Sequence, residues 1–172
     1  MTGELVTQAA RREVLASTLG RLVLAEPGPG LDELVGTMVD LEALTDAATA
    51  VDYERIFLRA APPYESLFCS ADGHQGGLPA AAVAAVYGEA EFTEHDDGGW
   101  RVAGPDHLGL ELRFHAHLVG RELLAWRADR PDEAAVAIET QRRFLAEHMA
   151  RWAAVAVRAL QPAAVGTPYA VV

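Results

Sequence analysis

The tightest constraint on the fold lies between about Pro131 and Leu160. Ile138, Gln141, Leu145, Met149, Trp152, Val155 and Ala159 recur there every three or four residues, the interval at which one face of an α-helix returns. The spacing predicts one long amphipathic helix. Glu139 with Arg143 and Glu147 with Arg151 then lie four residues apart on its outer side, where each pair is expected to add roughly 0.3 kcal/mol.

The same period organises the rest of the chain. Ala9, Leu15, Leu19, Leu22 and Val23 predict a helix from about Thr7 to Ala25, stopped by Glu26-Pro-Gly-Pro-Gly30, because proline lacks a backbone donor and glycine favours no helix. Leu31, Leu34, Val35, Met38, Leu41 and Leu44 predict a second helix; Tyr53, Ile56 and Phe57 predict a short third one over Val51–Ala60. Pro62-Pro63 ends that helix and forces an extended entry into Tyr64-Glu-Ser-Leu-Phe68. Ser70 to Gly77 reads as a surface loop, and Pro79 as the first residue of an Ala-rich helix through Tyr87 and Ala90. Thr93 to Gly104, which contains Trp100, reads as a second loop. A central helix is expected from Pro105 to about Arg127. No set of segments alternates apolar and polar residues with period two, so no sheet is expected. The expected fold is a single-domain, all-α helical bundle over residues 1–160, with 161–172 as a flexible C-terminal tail.

Composition supports helix and narrows the partners. Of 172 residues 51% are hydrophobic, enough to exclude a disordered chain. Ala, Leu and Val dominate and Ile occurs only at positions 56 and 138, which favours helix over strand. The formal net charge is −11; such a chain repels nucleic acid and anionic membrane surfaces and suits a basic partner. All 14 basic residues are Arg, and Cys69 is the single cysteine. An internal disulfide and a thiolate metal cluster are therefore excluded. No signal peptide or membrane-spanning stretch is legible, so the expected location is the cytoplasm.

The segment from Pro105 to Glu122 carries most of the information. Leu108, Leu112, Val119 and Leu123 make one apolar side of the predicted helix, and Phe114 and Leu118 another. Gly109, Ala116 and Gly120 line up between them and allow a neighbouring helix to approach closely, which offsets the roughly 1 kcal/mol that a helical glycine costs. Asp106 is placed to cap the first turn. His107, Glu111 and His115 repeat at four-residue spacing, and three readings stay open: a metal site, a structural cap with His107 bonded to a nearby loop, or the rim of a peptide site. No Ser–His–Asp or Cys–His arrangement, G-x-S-x-G elbow or P-loop is present. No catalytic residue, cofactor or metal is expected; the rival reading is a small metal-dependent enzyme using His107, Glu111 and His115, and a third is a generic helical adaptor.

Pro105-Asp-His-Leu-Gly-Leu-Glu-Leu-Arg-Phe114 resembles the P-D-H-L-x-x-E-L-x-F motif of the TorD/DmsD/NarJ family of redox-enzyme maturation chaperones. Asp52-Tyr-Glu-Arg-Ile-Phe57, Pro62-Pro-Tyr-Glu-Ser-Leu-Phe68 and Gln141-Arg-Arg-Phe-Leu-Ala-Glu-His-Met-Ala-Arg-Trp152 resemble three further stretches of that family, in the same order. One departure is that Ala103-Gly104 stands where many members carry an acidic residue before the proline. The resemblance implies a TorD-like bundle and a cytosolic chaperone. Its partner would be a molybdopterin-dependent oxidoreductase catalytic subunit or its twin-arginine leader peptide, held until the cofactor is inserted. Nucleic acid and stable membrane insertion are not expected, and the chain would be a monomer or a dimer.

Binding a cationic, apolar leader calls for acidic groups beside an aromatic groove. The expected client-binding residues are Tyr64, Glu65, Phe68, Pro105, Asp106, His107 and Glu111, with Glu65, Asp106 and Glu111 as the acidic rim. Tyr64, Phe68 and Trp152 are the candidates for the groove, although Trp152 also fits the core stripe. Phe57, Leu67 and Phe114 are expected in the core. Asp106→Ala and His107→Ala are expected to weaken client binding more than folding.

Overall fold

The structure, a computed structural model, describes residues 2–24, 47–93, 104–167 and 169. The expected helix over Leu31–Leu44, Trp100 and most of the loop around it lie outside the described residues. Among those described the elements are α1 (Thr2–Leu24), α2 (Ala47–Tyr53, continued by a π-helical segment Glu54–Ala60), α3 (Glu65–Cys69), α4 (Gly77–Glu89), α5 (Leu108–Arg127), α6 (Pro131–Phe144, continued by a π-helical segment Leu145–Met149) and α7 (Ala150–Ala164). There is no strand among them; a single antiparallel bridge joins Tyr64 to His107. The chain is an all-α bundle.

α1 lies along α5 at a distance only glycine permits. A Cβ at Gly109 would fall 2.5 Å from Leu24 Cγ and 2.7 Å from the Gly20 carbonyl oxygen; one at Gly20 would fall 2.8 Å from the Gly109 oxygen. The expected close approach at Gly109 is thus present, with Gly20 as its partner. At Gly120 a Cβ would meet nothing within 4 Å, so that glycine serves no contact.

A second tie joins α1, α5 and α6. Glu122, buried on α5, accepts from Arg12 at 2.7 and 2.9 Å, from Gln141 Nε2 at 2.9 Å and from Trp126 Nε1 at 3.1 Å. A buried carboxylate with this many donors is fully compensated. Gln141, which the sequence places on an otherwise apolar stripe, is therefore a polar pin rather than a filler of space.

The core runs from Tyr53, Ile56 and Phe57 on α2 through Val83 and Tyr87 on α4 and Phe114 and Leu118 on α5 to Phe144 and Trp152. Phe114 is its hub, with ring centroids 4.6 Å from Tyr87 and 4.7 Å from Phe144. Phe57 and Phe114 are buried as expected, while Leu67 is only half-buried.

Several sequence expectations need correction. The last helix is not one regular helix, because the π segment at Leu145–Met149 adds a residue to the turn. The buried face passes through Phe144, His148 and Met149, and then Trp152, Ala156 and Leu160. Val155, assigned to the apolar stripe, is 54% exposed. The expected ion pairs are replaced by others: Arg143 approaches Glu89 and Arg142 approaches Glu139, while Arg151 reaches the Glu147 carbonyl and the Glu65 carboxylate. α4 starts at Gly77, so Pro79 sits in its first turn without opening it. The expected tail is also partly structured. α7 continues to Ala164 with Pro162 inside it, and Tyr169 is buried, 5.3 Å from the Phe57 ring in an edge-to-face contact. Beside Tyr169 a largely apolar cavity of about 530 Å³ opens between Phe57, Leu108 and Leu160.

The α1–α5 contact gives a paired prediction. Gly109→Ala should lower stability by at least about 2 kcal/mol through overpacking, whereas Gly120→Ala should raise it by up to about 1 kcal/mol through helix propensity. Thermal or denaturant unfolding of both variants checks this; equal effects would contradict the described crossing.

Candidate functional site

The extended entry forced by Pro62-Pro63 and the turn before α5 pair with each other. Leu108 N–H donates to the Pro63 carbonyl at 2.8 Å, and Glu65 N–H to the Asp106 carbonyl at 2.8 Å. The Tyr64 and His107 rings meet edge to face, with centroids 4.9 Å apart. From α4, Tyr87 donates its hydroxyl to the Pro105 carbonyl at 3.0 Å, fixing the turn from the other side.

Asp106 does not cap its own helix. Its Oδ2 accepts from Ser66 N–H at 2.9 Å, so it caps the first turn of α3 across the chain, where backbone donors otherwise lack partners. The cap of α5 is His107, whose Nδ1 accepts from Gly109 N–H at 3.2 Å. Burial pushes His107 down to about 4 against the opposing pull of Asp106, so the ring is neutral and free to accept.

Glu65 on α3 lies against the π segment. Its Oε2 is 2.9 Å from His148 Nδ1, and both side chains are buried. Glu111, one turn into α5, is wholly buried, and neither of its oxygens has a hydrogen-bond partner. Burial, then the nearby Glu65, and to a smaller extent Asp106 push Glu111 up to about 9; the Trp152 indole pulls in the other direction. Glu111 is thus a neutral acid at pH 7. Phe68 closes this group from outside, stacked on Trp152 at 5.6 Å and 26°.

All seven residues expected from sequence fall in this one region, but with two kinds of role. Tyr64, Phe68 and Pro105 remain partly exposed. Glu65 is 1%, Asp106 0%, His107 5% and Glu111 0% exposed. The expected acidic rim is therefore corrected: these three carboxylates sit beneath the aromatic surface, Asp106 held at the start of α3, Glu65 by His148, and Glu111 buried with no hydrogen-bond partner. Trp152, 1% exposed, belongs to the core and supports the groove from below. His115 lies apart from the cluster, near Arg12 and Glu122. Among the described residues no group of three His, Cys, Asp or Glu is placed to hold a metal ion, so the His107–Glu111–His115 metal reading has no support there.

Two participants were missed. Ser66 supplies the capped N–H and accepts from Gly76 N–H through its hydroxyl at 2.8 Å; His148 holds Glu65. Both stand in the quoted motif stretches, and their small or polar side chains beside apolar neighbours were the available signal. Gly104, the departure from the acidic pattern, also has a reason. A Cβ there would lie 2.9 Å from Asp106 Oδ1.

This buried constellation occupies the segments that carried the family resemblance, and a sequence comparison agrees with it. The model of the family described as "Nitrate reductase delta subunit" matches residues 24–158. The chain belongs to that family. It is a family of molybdoenzyme maturation chaperones, not of catalysts. No curated protein and no solved structure matches the chain. Among the described residues of this delta-family chain no helix is long and apolar enough to cross a membrane.

Two outcomes follow. Asp106→Ala should cost about 1–2 kcal/mol of stability by uncapping α3; chemical denaturation measures it. Glu111 binds a proton in the folded state that the unfolded state loses as pH rises above its ordinary value. Its contribution to stability is therefore full at low pH and is lost as pH climbs toward about 9. Relative to Glu111→Gln, the wild type should lose on the order of 3 kcal/mol between pH 5 and pH 8, read from unfolding midpoints across that range.

Proposed function

We propose that this chain is a cytoplasmic chaperone that holds an apo-molybdoenzyme catalytic subunit, or its twin-arginine leader peptide, until cofactor insertion precedes export or assembly. The family match over residues 24–158 carries the reading. The docking face is the partly exposed aromatic surface of Tyr64, Phe68 and Pro105. Glu65, Asp106, His107 and Glu111 act as the framework that fixes its shape.

The chemistry fits an apolar peptide with a cationic end. Tyr and Phe offer large contact area with few rotatable bonds, and the net charge of −11 attracts a basic segment over a range set by salt screening. The attraction belongs to the whole surface, since the three carboxylates nearest the face are buried.

Calorimetric titration with a client leader peptide tests the assignment. Tyr64→Ala and Phe68→Ala should each weaken binding about tenfold or more, the scale of an aromatic anchor at an interface. Raising salt should weaken it further. Unchanged affinity in both variants, with helicity intact, would remove this face from the binding site.

A further inference from the structure

Three buried acids from separate parts of the fold converge where α3 meets α5 and α7. Glu65 comes from α3, Asp106 from the turn before α5, and Glu111 from α5 itself; none is more than 1% exposed. Two are compensated. Glu65 Oε2 lies 2.9 Å from His148 Nδ1, and its Oε1 has Arg151 at 4.0 Å; Asp106 Oδ2 accepts from Ser66 N–H. Glu111 is not compensated, and Asp106 Oδ1 is also buried without a partner. An ionised Glu111 here would be a buried charge beside two other carboxylates with only the Trp152 indole to offset it, a cost that proteins avoid by keeping the proton.

The element above the cluster is the shortest helix among the described residues. α3 is five residues long. Its hold on α5 is the clasp of Ser66 N–H on Asp106, Glu65 N–H on the Asp106 carbonyl and Leu108 N–H on the Pro63 carbonyl; its hold on the π segment and α7 is the Phe68–Trp152 stack with the Glu65 contacts to His148 and Arg151. We propose that the proton on Glu111 latches α3 shut, and that α3 lifts from α5 and α7 when that proton leaves. The groups facing the cluster are Glu65 and Cys69 on α3, Asp106 and His107 before α5, and His148, Arg151 and Trp152 beyond it. α3 carries Phe68 and adjoins Tyr64, so the latch controls the presentation of the aromatic face. That last consequence rests on reading the face as the docking surface; the latch does not.

The balance of the step is simple: opening hydrates Glu111, which then releases one proton to water. Opening therefore becomes more frequent by about tenfold per pH unit between the ordinary carboxyl range and the raised value, and then levels off. Amide hydrogen exchange reads this without any client. The amides of Glu65, Ser66 and Leu108 exchange by opening, and intrinsic exchange itself rises about tenfold per unit (base catalysis), so between pH 6 and 8 their rates should rise about a hundredfold per unit in the wild type. In E111Q they should rise only tenfold. Core amides such as that of Val83 should exchange more slowly at every pH, which separates local from global opening.

A wild-type slope of tenfold at the clasp amides would overturn the latch, as would a hundredfold slope retained in E111Q or clasp rates equal to those of Val83. Should E111Q not fold, the carboxyl carbon-13 shift of Glu111 in the wild type still decides the matter: a midpoint in the ordinary carboxyl range sinks the proposal. Failure of leader-peptide binding with a hundredfold slope intact would count against the docking face alone.

Discussion

The contact between Gly20 and Gly109 sets the rest of the fold. Two helices cannot bring their backbones this near with a side chain between them, and the carbonyl oxygens of the two glycines lie within contact distance of where Cβ atoms would stand. Pressed against α1, α5 begins with its N-terminal turn held under α3. Arg12 and Glu122 then fix the angle further along both helices. Asp106, His107 and Glu111 therefore reach Ser66, Tyr64 and Glu65 from a base that cannot slide.

Burial decides what those polar groups do. A carboxylate on a surface rim interacts weakly with a ligand through water; the same group in the interior must find donors or stay neutral. Asp106 finds Ser66, Glu65 finds His148, and Glu111 finds neither. The arrangement joins α3, the start of α5 and the π segment through polar contacts that fit only one relative placement. A core of Leu and Ala alone would tolerate several.

Much of this was legible in the chain. The helical period located α1, α2, α5 and the run of α6 and α7, Pro79 with the alanines after it located α4, and α3 is too short to show a period; the P-D-H-L-x-x-E-L-x-F stretch marked the centre of the candidate site. Phe114 and Phe57 read correctly as core. What the sequence did not carry was direction. The family resemblance grouped Asp106, Glu65 and Glu111, but whether they face water depends on the path of α3, which Pro62-Pro63 and the Tyr64–His107 bridge determine. Asp106 likewise had the composition of a cap, yet the helix it caps is forty residues back along the chain. Long-range partners of this kind leave no periodic trace.

The π segment at Leu145–Met149 acts as a phase slip. One residue added to a helical turn rotates everything after it by about 100°, so the two halves of the final helix present different faces of the heptad to the same core. His148 and Met149 can then both point inward, one toward an acid and the other toward apolar neighbours. A strictly regular helix would have to choose between them, and Trp152 would swing away from Phe68.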